Sequence, residues 1–346
     1  MAFISVFVGA GFASGQEIMQ YFTSFGLWGI AGAVVATLLF GFVGMVLMEL
    51  GSYYNAESHA DVLDNITPPV LYRIIDIILI FTLFTVGVVM IAGAGANLNQ
   101  QFGLPVWIGS ALAGILIVLV GMLGTDKIVS ILSYITPFLI VLVLIISGVT
   151  LFFGDFSFQE LDSIARDLPS PLPNWFLSGL NYASFNITFG ASMVLVMAGQ
   201  ESQKDAKISG IFGGICIGIL ILLNNLTLFA TVENVSQYSL PMLALAEYIH
   251  PLLGFLMAIL LFVLIWGTGI SVFYSFTTRF SESGSKKFMI VLTLAVLVGY
   301  GLSFFGFTSL VAAVYPIIGY AGFLLIAVLA VGWFRMKKQR NTDQRS

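Results

Sequence analysis

Apolar runs long enough to cross a bilayer follow one another along almost the whole chain, and they constrain its fold more than any other feature. A hydrocarbon core of about 30 Å takes roughly 20 helical residues. Inside it every backbone polar group has to be satisfied internally, which leaves helices or closed barrels. Such runs are read near 2–24, 27–50, 73–97, 104–123, 128–153, 175–199, 208–232, 251–278, 288–305 and 308–334. Composition agrees, with 59% hydrophobic and 9% charged residues. The 36 glycines fit a bundle whose helices approach closely. The expectation is an all-α integral membrane protein of about ten transmembrane helices.

Ten spans place both termini on one side. With the N-terminus in the cytoplasm, Arg73, Lys127, Lys204, Lys207, Arg279, Lys286, Lys287, Arg335, Lys337, Lys338, Arg340 and Arg345 all lie inside. Only Arg166 lies outside, which is the asymmetry expected of cytoplasmic loops. Glu49 and Asp76 fall near span ends and read as solvated anchors. A net charge of −4 offers no basic surface for nucleic acid. The single cysteine, Cys216, excludes an internal disulfide, and the wide separation of His59 and His250 argues against zinc. No basic segment precedes the first apolar run, so no cleavable signal peptide is expected. Segment 156–168 reads as an amphipathic surface helix, and 240–250 as a second short helix on the same face.

Within the first span, Gly9, Ala10, Gly11, Phe12, Ala13, Ser14 and Gly15 precede Gln16 and Glu17. Glycine weakens helix and admits close approach to the backbone. A break at membrane depth is tolerated only where it is covered by protein or lines a wet cavity. Glu17 is the only carboxylate lying well inside an apolar span, which by default marks a functional site.

Because five is odd, splitting ten spans into five and five makes the second half run opposite to the first. An inverted repeat then predicts a second break in span 6. That span carries Asn181, Tyr182, Ser184, Phe185, Asn186 and Thr188. The expected organisation is a first five-helix repeat over 1–153, an extracellular loop over 154–174, a second repeat over 175–334 and a basic cytoplasmic tail over 335–346. Paired breaks expose amide and carbonyl ends that suit a zwitterion. Phe12, Phe185 and Tyr182 then wall an apolar side chain.

The string Gly9–Glu17, with its early Gly-Ala-Gly, resembles the YkvI-type branch of the amino acid–polyamine–organocation superfamily, a family of bacterial amino acid permeases with the leucine-transporter-type fold. The resemblance covers essentially the whole chain. It implies discontinuous helices 1 and 6, a mobile bundle of spans 1, 2, 6 and 7, and a scaffold of spans 3, 4, 8 and 9. It implies a substrate site at Gly9–Gly15, Asn181, Tyr182, Ser184, Phe185 and Asn186. It also implies a coupling Na+ held by the carbonyls of Ser5 and Val8 and the hydroxyls of Thr268 and Ser271. Glu17 stands as the rival proton carrier, as a gate, or as the partner of a substrate amine.

The expectation is therefore a secondary active transporter of an amino acid or related small organic solute, working by alternating access and driven by Na+ or H+. It is not expected to be an enzyme or to need a cofactor beyond a coupling Na+. Its expected site is a bacterial cytoplasmic (inner) membrane, and its partners are the solute and the bilayer. The alternative from another class is a membrane receptor that binds the solute without moving it.

Overall fold

The computed structural model describes residues 2–122, 126–154 and 157–343, and every regular element among them is a helix. The first span is in pieces: α1 (Ala2–Phe7), α2 (Ala10–Ser14) and α3 (Gln16–Tyr21), then a 3-10 turn at Thr23–Phe25. There follow α4 (Trp28–Tyr53), α5 (His59–Ile66), α6 (Pro69–Phe102), α7 (Val106–Gly121) and α8 (Asp126–Phe153). The chain continues with α9 (Phe158–Arg166), α10 (Trp175–Ala198), α11 (Gln203–Ala230), α12 (Val232–Val235) and α13 (Pro241–Ile249). It closes with α14 (Pro251–Thr278), α15 (Lys286–Ser303) and α16 (Phe307–Asp343).

Eight of these helices are long and apolar enough to cross a membrane. With the shorter apolar α7 and the interrupted first span they make the ten passages read from the sequence. Local chemistry sets several boundaries. Pro69 and Pro251 occupy first-turn positions, where no amide partner is lost. Asn174 and Ser285 cap α10 and α15 through their side chains. The two short helices expected on one face are α9 and α13. Helix α5 was not expected; a reciprocal capping box between Ser58 and Asp61 starts it, and Val62, Leu63 and Ile66 bury its inner side.

The helices pack in two sets. Helix α4 packs against both α10 and α11, each of which also touches α1, while α6, α7, α14 and α15 form the other set. Gly44 and Gly210 bring α4 and α11 backbone to backbone, where a Cβ on Gly44 would lie 2.9 Å from the Gly210 carbonyl oxygen. These are the groupings of bundle and scaffold in a leucine-transporter-type fold.

Two expectations are corrected. Span 6 is not discontinuous: α10 runs unbroken from Trp175 to Ala198. Its polar residues support the helix rather than opening it. Asn186 Nδ2 donates to the Tyr182 carbonyl at 2.9 Å, and Thr188 Oγ1 to that of Ser184 at 2.8 Å. Glu49 is not a solvated anchor. It is 4% exposed, accepts from Lys337 Nζ at 2.9 Å and from Trp333 Nε1, and so ties α4 to α16.

Candidate functional site

The first span breaks twice, for two different reasons. At the first break Val8 and Gly9 separate α1 from α2. At the second, Gly15 adopts φ +81°, a left-handed conformation that glycine takes without steric cost. A Cβ there would also lie 2.8 Å from Met242 Cγ. The freed groups find partners: Ser14 Oγ donates to the Gly11 carbonyl at 2.7 Å, and Asn224 Nδ2 of α11 donates to the Phe12 carbonyl at 3.2 Å.

Glu17 folds back from α3 over Gly11. A Cβ on residue 11 would overlap the carboxyl group, lying 2.6 Å from its carbon, so the glycine is what lets the acid reach the break. Tyr182 of α10 donates its hydroxyl to Glu17 Oε2 at 3.3 Å. Beyond Glu17 the chain is stitched shut. Tyr21 donates to Asn181 Oδ1 at 3.3 Å, Ser178 Oγ to the Tyr21 carbonyl at 2.6 Å, and Thr23 Oγ1 to Asn225 Oδ1 at 2.9 Å. Gln20 Nε2 reaches the Thr308 carbonyl of α16 at 3.1 Å.

On the other side of the break lies a cavity of about 810 Å³ between the two helix sets. Val6, Val8, Gly9, Thr188, Phe189 and Ser192 form one wall; Leu79, Thr82, Leu264, Thr268, Ser271 and Ser275 form the other. Its mouth, lined by Glu57, Ser58, His59, Thr278 and Arg279, lies at the face that carries the C-terminal tail. There Arg279 Nη1 pairs with Asp76 at 3.1 Å, and its Nη2 lies 3.2 Å from His59 Nε2, joining α5, α6 and α14. Burial and the neighbouring guanidinium hold His59 below the usual imidazole range, against the opposing pull of Asp76.

At the deep end a chamber of about 30 Å³ is lined by Gly9, Gly11, Phe12, Glu17, Phe185, Asn186, Phe189, Thr268 and Tyr315. Phe185 and Tyr315 stack there at 4.2 Å. The sequence-derived residues thus divide. Gly9, Gly11, Phe12, Glu17, Phe185, Asn186 and Thr268 line the chamber, and Val8 and Ser271 line the larger cavity. Ala13 and Ser14 are fully buried behind it, and Gly15 faces Met242. Asn181 and Ser184 point away, donating to the Pro316 and Gly319 carbonyls of α16 at 3.0 and 2.7 Å. Tyr182 acts through Glu17, Ala10 opens α2, and Ser5 belongs to α1. Sequence reasoning missed Phe189, which directly follows Thr188 in span 6, Tyr315, a lone aromatic in the last span, and the His59–Asp76–Arg279 cluster, whose members are far apart in the chain.

Ten passages with a broken first span, packed as bundle and scaffold around a central cavity, define a membrane protein of the leucine-transporter-type fold. Solved structures share it. One, an inward-facing conformation of Mhp1, superposes with TM-score 0.56 at 13% identity, over 95% of this chain and 72% of that one. A mutant manganese transporter of Eremococcus coleocola gives 0.53 at 13% identity, over 87% and 68%. No family model matches the sequence. The chain belongs to the family of YyaD of Bacillus subtilis (strain 168), with which it is 30% identical over 325 residues, 93% of this chain and 92% of that protein. YkvI, a membrane protein of the same organism, is 25% identical over 328 residues, 94% of this chain and 93% of that protein.

Proposed function

We propose that the protein is a secondary active transporter that carries an amino acid or related small organic solute across the cytoplasmic membrane by alternating access. The observation that carries this reading is the one-sided cavity. It runs between bundle and scaffold from the tail face to the broken span and ends there, while the segment beyond Glu17 is closed by hydrogen bonds to α10, α11 and α16. A closed far side and an open near side are what one half of an alternating-access cycle requires. With the basic loops and both termini in the cytoplasm, this is the inward-open half. The structural relatives, an inward-facing conformation of Mhp1 and a manganese transporter, favour transport over catalysis.

An ion gradient supplies the drive. For Na+, the carbonyls of Ser5 and Val8 and the hydroxyls of Thr268 and Ser271 are the ligands, hard oxygen donors that suit a hard cation. Val8, Thr268 and Ser271 line the same cavity. Ser271 Oγ donates its proton to the Gly267 carbonyl at 3.0 Å, which leaves its lone pairs for a cation. For H+, Glu17 is the carrier. Purified protein in liposomes, given labelled amino acids and amines under either an imposed Na+ gradient or a pH gradient, decides. Concentrative uptake that an ionophore collapses is expected. Binding without accumulation under both gradients would mark a receptor instead. If Na+ couples, uptake stops when choline replaces it at constant pH, and Ser271→Ala raises the Na+ concentration required.

A further inference from the structure

We propose that the chamber beside Glu17 receives the ammonium group of the solute, so that the preferred substrates are organic amines and the carboxylate of an amino acid is dispensable. The inference rests on the reading that this cavity carries a solute, and it narrows that solute to a chemical class.

Charge balance comes first. Among the described residues four acidic or basic side chains line the two cavities, and three of them, Glu57, His59 and Arg279, stand at the mouth. Glu17 is the fourth and stands alone at the deep end. A carboxylate taken out of water needs a compensating charge or several donors. Tyr182 offers Oε2 one neutral hydroxyl at 3.3 Å, a long bond for that pair, while a carboxylate accepts at about four positions. An ammonium group brings three donors and the opposite charge.

Shape and surface agree. At about 30 Å³ the chamber is far smaller than the adjoining cavity of about 810 Å³, and a small polar head such as –NH3+ suits it. Gly9, Phe189 and Thr268 line both the chamber and the larger cavity, so a head group beside Glu17 leaves its carbon skeleton directed toward the 810 Å³ space. Phe12, Phe185 and Tyr315 wall the chamber, and aromatic faces attract a cation through the ring quadrupole. A substrate carboxylate meets no such complement. Among the described residues no lysine, arginine or histidine lines either cavity below the mouth, and α2, with five residues, is too short to present a substantial dipole.

Three solutes with closely matched branched skeletons separate the contributions: leucine, 3-methylbutylamine and 4-methylpentanoate. Binding is measured by thermal shift and calorimetry on the full-length protein in detergent, with MnCl2 as a fourth probe. The amine is expected to stabilise the protein at least as well as leucine, and the acid not at all. Glu17→Gln should weaken amine binding roughly 10- to 100-fold, the size of one lost hydrogen bond to a charged group. Glu17→Asp, which keeps the charge, should recover part of it. Circular dichroism and size-exclusion profiles of the variants confirm that they fold, and the wild-type comparison of amine with acid needs no variant. Binding of the acid with or without the amine overturns the proposal. So does an unchanged amine affinity in Glu17→Gln, or Mn2+ binding in place of amine binding. Gradient-driven uptake of other solutes without amine binding sinks this subsite alone; amine binding without uptake of any solute sinks the transport reading alone.

Discussion

Spans 1 and 6 occupy equivalent places in the two halves of the fold, and both carry small and polar residues at membrane depth, yet one is broken and the other is not. The difference lies in where each backbone and side-chain group finds its partner. Span 1 has Gly15 in a left-handed conformation and a carboxyl group seated on Gly11. Its loosened carbonyls are taken by Ser14 and by Asn224 from a neighbouring helix. Span 6 spends its polar groups differently. Asn186 and Thr188 bond the turn before them, and Asn181 and Ser184 fasten α10 to carbonyls of α16 around Pro316, the proline inside that helix. A glycine in a left-handed conformation breaks a helix; amides and hydroxyls with nearby acceptors stitch helices together. One span is interrupted by its glycines and the other is held by its side chains.

That contrast can be broken from either end. The largest effect is expected from Gly11→Ala, which drives a methyl group into the Glu17 carboxyl: uptake should fall at least ~100-fold, as expected when a binding group is displaced by about an ångström. Adding Glu17→Ala to it should restore thermal stability by relieving the clash without restoring uptake, a coupling that only touching residues show. Gly15→Ala comes next. It forces a Cβ into the left-handed region and against Met242, and a loss of about 2–3 kcal/mol is expected from strain and overpacking together. Denaturation midpoints in detergent measure it.

In span 6 the effects should be smaller and should fall on stability rather than on transport. Asn181→Ala leaves the Tyr21 hydroxyl and the Pro316 carbonyl without their partner, for about 1–3 kcal/mol. Thr188→Val removes one back-bond to the preceding turn and should cost less than about 1 kcal/mol, with uptake nearly unchanged. If Thr188→Val abolished uptake while Gly11→Ala left it intact, the assignment of roles to the two spans would be reversed.

Much of this was legible beforehand. The hydropathy of the runs and the charge asymmetry of the loops gave ten passages, because a bilayer imposes both on a sequence directly. That span 1 is interrupted was legible from its glycines, and Gly9, Gly11 and Glu17, singled out in the sequence, meet at that break. The continuity of α10 was not legible. Whether Asn181 and Ser184 mark a break or a seam depends on the carbonyls of Pro316 and Gly319, some 135 residues away in the chain. The burial of Glu49 was hidden for the same reason, since its partners Trp333 and Lys337 come from the far end of the sequence. Helix α5 escaped because a short polar segment with one capping box carries no membrane-length signal.

Access to the cavity wall tests the central claim most directly. Single cysteines placed at Ser192, Ser271 and Ser184 in a Cys216→Ala background are labelled with a membrane-impermeant thiol reagent applied to each side of sealed vesicles. Ser192→Cys and Ser271→Cys, on the cavity wall, should react from the tail face and be slowed by a transported solute; Ser184→Cys, sealed between α10 and α16, should stay silent from both faces. Ready labelling at 184 together with silence at 192 and 271 would contradict a continuous span 6 and a cavity that ends at the broken span 1.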